Sequence, residues 1–294
     1  MTRRGYIFLF FASLCIATLP IAGKFGLQQN VPVFALLISR TAMAAIVLAA
    51  ILRIWKPSLL KIDRQGLSRC FELALVNCFS MFCYLQTLSY LDASFSIILF
   101  SFIFIPFVII FNRIWGQQPR WIDGFRFALA ILGVYLFVDP AGSFSWIGVA
   151  FGIGNAMAYG VYTVLVERRL ANVPPMTILV YSMAMQAAIF SMVGGFVGIE
   201  WPPLSDQLSW ATMIWFGLIS TGLARIFLFS GIQIVGSKQA ALFSPLDMVV
   251  ALALSVLFLG ESLSGIQVAA ALLIMVSVLL ANWPPQAVAE LEVS

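Results

Sequence analysis

The most constraining feature of this sequence is a succession of ten apolar runs, each close to the roughly 20 residues that a helix needs to cross the hydrocarbon core. Bounded by charge, Gly/Pro clusters or Trp, they fall near residues 5–23, 33–54, 70–90, 94–112, 123–138, 146–166, 176–197, 210–233, 238–259 and 265–282. Hydrophobic residues make up 62% of the 294 and charged residues only 10%, an excess that no soluble core absorbs. The expected fold class is therefore all-α integral membrane, with ten transmembrane helices joined by short loops. The basic Met1–Arg4 stretch before the first run has the outline of a signal peptide. That run exceeds an h-region and opens a regular series, so it reads as span 1.

Charge sets the expected orientation. Thirteen of the sixteen Lys and Arg residues, from Arg3, Arg4 and Arg53 through Arg168, Arg169 and Lys238, collect at one set of span ends. Lys24 alone lies at the other, and Arg40 and Arg225 lie inside spans. The positive-inside rule then makes this a multi-pass protein of the inner (cytoplasmic) membrane with both termini cytoplasmic. The formal charge of +4 is thus topological and calls for no nucleic acid. Every tryptophan except Trp215 lies near a span end, where an amphipathic ring favours the interface. Cys15, Cys70, Cys78 and Cys83 have no paired metal or redox spacing and read as small packing residues.

Halving the chain near residue 140 exposes a weak duplication. Residues 92–138 run parallel to 236–282, with the Trp115-Gly116-Gln117 corner falling on Leu259-Gly260-Glu261, while Pro32 and Pro175 open spans 2 and 7. Five helices per half is an odd number, so the second half enters the membrane from the opposite side. The expected organisation is two inverted five-helix repeats, 1–140 and 141–294, an architecture common among alternating-access carriers.

These residues resemble a family, the drug/metabolite transporter superfamily in its ten-helix EamA-like branch. The likeness lies in Lys24, Pro32 and Arg40 in the first half and the 158–169 stretch of span 6. It is most specific from Ser220-Thr221-Gly222 through Pro245 to Leu257-Phe-Leu-Gly-Glu-Ser262. The resemblance implies ten helices, inverted halves, a central cavity lined mainly by helices 1, 3, 4, 6, 8 and 9, and amino acids or other metabolites as substrates. Arg225 and Asp247 depart from it, since many relatives look apolar or aromatic there, and Gln117 replaces the acid of the second-half corner.

An ionisable residue inside the membrane costs at least about 2.5–3.5 kcal/mol, so each is a functional candidate by default. Arg225 in span 8 and Asp247 in span 9 are expected at matched depth on antiparallel neighbours. They either pair structurally or together bind a zwitterionic solute. Arg40 is a candidate for gating, for anchoring helix 2 or for holding an anion, and Lys24 and Glu261 are candidates for a salt bridge closing the outer face. Pro106 and Pro245 interrupt spans 4 and 9, and with Gly222 they are candidate hinges. Asn77, Tyr84, Tyr159 and Trp215 are candidate cavity-lining groups, Tyr84 and Tyr159 foremost because the resemblance turns their positions inward.

The chain has no histidine, carboxylate cluster or Gly-rich phosphate loop, so neither an enzyme, a metal nor a cofactor is expected. The expected function is secondary transport, without ATP, of a small zwitterionic metabolite across the bilayer by alternating access, as export or exchange. Protons are a candidate coupling ion through Asp247 or Glu72. The alternative is a non-transporting subunit that stabilises or assembles a larger membrane complex.

Overall fold

A computed structural model describes residues 2–114, 124, 128, 145–170, 173–236, 243–265, 268, 269 and 271–273. The expected span 5, most of span 10, the first residues of span 9 and the Trp115-Gly116-Gln117 corner lie outside the described residues. Eight helices carry the described fold: α1 Thr2–Gln28, α2 Val33–Trp55, α3 Arg64–Tyr90, α4 Ala93–Ile114, α5 Trp146–Arg169, α6 Pro175–Val197, α7 Gln207–Val235 and α8 Ser244–Leu259. No strand occurs among the described residues. Six of the helices are long and apolar enough to cross a membrane, and apolar stretches of α4 and α8 are shorter.

Local chemistry starts these helices where it does. Asp63, Ser145 and Asp206 cap α3, α5 and α7 by accepting from the Gly66, Gly148 and Ser209 backbone N–H groups at 3.0, 3.3 and 3.2 Å. Hydrogen bonds from the Ser209 hydroxyl and backbone hold the Asp206 carboxyl below the usual carboxylate range. Pro175 opens α6 at a position where its missing N–H costs nothing. Gly198 and Gly260 end α6 and α8 with φ of 73° and 67°, a left-handed cap that favours glycine.

Packing follows the duplication. α3 packs on α5 as α7 packs on α1, and α4 packs on α5 as α8 packs on α1. Exchanging the halves leaves the pairs α2–α6 and α4–α8 unchanged. The strongest packing thus joins one half to the other. The α3–α5 pair is antiparallel, tied at mid-depth by Ser80 Oγ donating to Asn155 Oδ1 at 2.8 Å and at one end by Arg69 donating to the Arg169 carbonyl. Leu36, Leu37, Leu85, Leu88, Met213 and Phe216 fill a core between α2, α3 and α7. Lipid is as apolar as these side chains, so fit and close backbone approach stabilise such contacts more than burial does.

One expectation changes here. Apolarity runs without a break from residue 238, which made Pro245 a mid-helix interruption, but the described helix starts at Ser244 with Pro245 in its first turn. There proline's fixed φ suits the helix start and the missing N–H was never needed. Pro106 does lie inside a continuous helix, α4, and Pro20 lies likewise inside α1.

Candidate functional site

Most of the intramembrane charge converges on one cavity. Arg40 of α2, Arg225 of α7 and Asp247 in the first turn of α8 line it, with Tyr84 of α3 and Tyr159 of α5, around a volume of about 280 Å³. That lies just below the roughly 300–1,000 Å³ of ordinary ligand pockets, so the site suits a small metabolite. The walls come from both halves of the chain. Pro20 of α1 and Phe100 of α4 complete the apolar part.

Arg225 and Asp247 share this wall, yet no hydrogen bond or ion pair within 4.0 Å joins them among the described residues. The buried Ser13 hydroxyl of α1 faces the Asp247 carboxyl, whose Oδ1 is buried without a hydrogen-bond partner among the described residues. Unlike charges on one cavity wall, not spent on each other, are arranged to meet a ligand that brings its own charges.

Arg40 is only 4% exposed, and its setting depends on an irregularity in α7. Residues Trp215–Leu223 form a π-helix, whose wider turn lets the Thr221 hydroxyl donate to the Phe216 carbonyl five residues back at 3.0 Å. Thr221 Oγ1 in turn accepts from Arg40 Nε at 3.0 Å. Arg40 Nη1 donates to Met81 Sδ, and the guanidinium carbon lies 5.6 Å from the centre of the Phe216 ring. Gly217 makes this approach possible, since a Cβ there would stand 2.9 Å from the Ser39 carbonyl oxygen and 3.2 Å from Arg40 Cα. Gly222 faces α2 less tightly, at 3.8 Å from Ala44 Cα.

The sequence pattern of the EamA-like transporter family matches residues 3–139 and again 146–283. The chain belongs to that family. Among curated relatives, it is 26% identical over 216 residues to the uncharacterized transporter sll1319 of Synechocystis sp., covering 70% of this chain but only 64% of that protein's length. A solved crystal structure, 20% identical, matches 94% of this chain and 96% of its own with a TM-score of 0.65, which shows a shared fold.

In this EamA-like family member a second cavity of about 300 Å³ shares Arg40, Met81, Tyr159 and Arg225 with the first. It runs past Asn77 to Leu170, Pro175 and the exposed Glu167 at the α5–α6 turn, so it opens at the face that carries the basic residues. Tyr159 stands between the two, stacked on Tyr162 at 5.5 Å and edge-on to Phe100 at 5.6 Å. Asn77 Nδ2 donates to Gln186 Oε1 at 3.1 Å, leaving Asn77 Oδ1 and Gln186 Nε2 buried without partners among the described residues.

Other expected site residues fall elsewhere. Trp215 is 46% exposed and lines a separate apolar groove between α1, α7 and α8, so it takes no part in the charged cavity. Lys24 and Glu261 make no ion pair with each other. Lys24 Nζ donates to the Leu88 and Leu91 carbonyls, both at 2.8 Å, at the C-terminus of α3. Glu261 accepts from the Ala93 and Ser94 backbone N–H groups at 2.6 and 2.9 Å, at the N-terminus of α4. Each charge sits on the helix end whose dipole it complements.

Sequence reasoning missed Ser13, Met81, Thr221 as a partner of Arg40, and Pro20. Only Pro20 carried a signal, being a proline inside an apolar run like Pro106.

Proposed function

We propose that this chain is a secondary transporter, working without ATP, that carries a small zwitterionic metabolite of the amino-acid class across the cytoplasmic membrane. One observation supports this above others: Arg225 and Asp247, opposite in charge and unpaired with each other, line a single cavity built from both halves of the chain. Asp247 would take the solute's ammonium group, Arg225 its carboxylate, and Tyr84 and Tyr159 its carbon skeleton.

Movement follows from the duplication. Repeats 1–140 and 141–294, inverted and packed mainly on each other, exchange conformations so that the shared cavity faces each side in turn. Pro106 and Gly222 are the hinges this reading favours. Under the positive-inside rule the thirteen basic residues favour cytoplasmic termini and a second cavity open to the cytoplasm, which supports entry of solute from inside and release by export or exchange. Asp247 is the carboxylate through which a proton gradient would couple.

The test is saturable counterflow of labelled amino acids into proteoliposomes containing the purified chain alone. Arg225→Ala and Asp247→Ala are each expected to lower flux by roughly tenfold or more, as loss of a charge-assisted contact requires. Full recovery in the charge-swapped double variant would argue for a structural pair instead. No flux of any amino acid from active preparations would favour a subunit of a larger complex.

A further inference from the structure

We infer that Arg40 completes a three-charge binding site, and that the preferred solute is an acidic amino acid of the aspartate or glutamate class rather than a neutral one. The inference rests on the reading above, in which Arg225 and Asp247 bind the solute.

The charge count carries the argument. Among the described residues, the central cavity is lined by two guanidiniums, Arg40 and Arg225, and one carboxylate, Asp247. Asp247 and Arg225 match the ammonium and carboxylate that every amino acid carries. Arg40 is then left as an uncompensated positive charge, 4% exposed, in a low-dielectric setting where such a charge is strongly disfavoured without a counter-charge. A second acidic group on the solute supplies it. With that group bound, three unlike pairs form and the site becomes neutral.

The surroundings of Arg40 fit an anion site better than a structural anchor. A structural arginine at this depth is matched by a carboxylate or by several carbonyls. Here its neighbours are the Thr221 hydroxyl, the Met81 sulfur and the Phe216 ring, all neutral. They fix where the guanidinium points without cancelling its charge. The two bonds made by Nε and Nη1 use two of its five N–H donors and leave three, in the planar fork that suits a carboxylate. The π-helix and Gly217 hold α7 close enough to α2 to provide this cradle. Arg40 also lines the second cavity that opens at the basic face, so it meets the solute along the entry path as well as in the site.

The deciding measurement compares solutes of equal shape that differ by one negative charge: aspartate with asparagine, and glutamate with glutamine. With the full-length protein in proteoliposomes, initial rates of the acids are expected to exceed those of their amides by roughly tenfold. Arg40→Gln should lower acid flux by roughly tenfold and lower amide flux less, so that the preference is lost, and an unchanged helical circular-dichroism spectrum and melting temperature in detergent show that the variant is folded. Thr221→Val, which keeps the charge but removes its hydroxyl partner, should lower the acid-to-amide ratio by roughly threefold. Wild-type protein that moves the amides as fast as the acids overturns the inference and leaves the zwitterion reading intact. Loss of acids and amides alike in Arg40→Gln, with an unchanged ratio in Thr221→Val, also overturns it. Absence of flux for all four solutes and for every other amino acid removes the underlying reading instead.

Discussion

At the face away from the basic residues, Lys24 and Glu261 hold the two helix termini that meet at the α3–α4 turn through partly buried bonds to backbone carbonyls and amides. At the basic face, α3 and α5 are joined by the Arg169–Glu72 ion pair, whose side chains are 54% and 48% exposed, and by the exposed bond from Arg69 to the Arg169 carbonyl. The contrast is physical as well as geometric. A carboxylate on two backbone N–H groups gains from a helix dipole and from shielding, whereas a half-exposed ion pair is weakened by water and by side-chain entropy. The firmly capped end lies across the molecule from the end where the second cavity opens, past Glu167, Leu170 and Pro175. The contrast is between the α3–α4 turn and the α3–α5 pair alone, since at the basic face the Thr177 and Tyr181 hydroxyls also donate to the Leu59 and Leu60 carbonyls.

The largest effect that would break this comparison is one of access. In a background without the four native cysteines, Val173→Cys, beside the open cavity, should react with a membrane-impermeant thiol reagent. Thr87→Cys, buried near the capped end, should react at least about tenfold more slowly, the margin expected between an open and a packed site. Equal rates would mean that both ends open alike.

Next in size is Glu261→Ala, which leaves the Ala93 and Ser94 amides without their acceptor. A loss of roughly 2–3 kcal/mol is expected, read as a lower melting temperature in detergent, with Glu261→Gln retaining part of it. Lys24→Met frees the Leu88 and Leu91 carbonyls, and about 1–2 kcal/mol should be lost by the same measurement. Glu72→Ala at the weak end should change stability by no more than about 0.5 kcal/mol. If Glu72→Ala proved as costly as Glu261→Ala, the difference between the ends would be one of appearance only.

Much of the scaffold was legible beforehand, and the misses have specific causes. Apolar windows located α2, α5 and α6 to within a few residues, because a bilayer demands long apolar runs whatever the fold. They cut α1 and α3 short. Lys24 and Gln28 in α1, and Arg64 and Gln65 in α3, are polar residues of helices that extend beyond their most apolar stretch. Pro245 misled in the opposite direction, since hydropathy is blind to a helix start inside an apolar run. Arg40, Arg225 and Asp247 stood out because charge inside an apolar run is costly. Trp215 stood out for size alone, and rotation about the α7 axis turned it into another groove.

Sequence by itself determined that this is a helical membrane protein of the EamA-like family, built from two related halves with its basic residues gathered at one face. Those properties depend on composition, period and repetition, which are sums over many residues. Tertiary structure decided what each charge faces. Lys24 and Glu261 turn out to cap helices, Arg225 and Asp247 share a wall without touching, and Arg40 rests on a π-helix that no local pattern announces. Such outcomes depend on helix rotation and on contacts such as Arg40 with Thr221, 181 residues apart in the chain, which form only when the two halves pack.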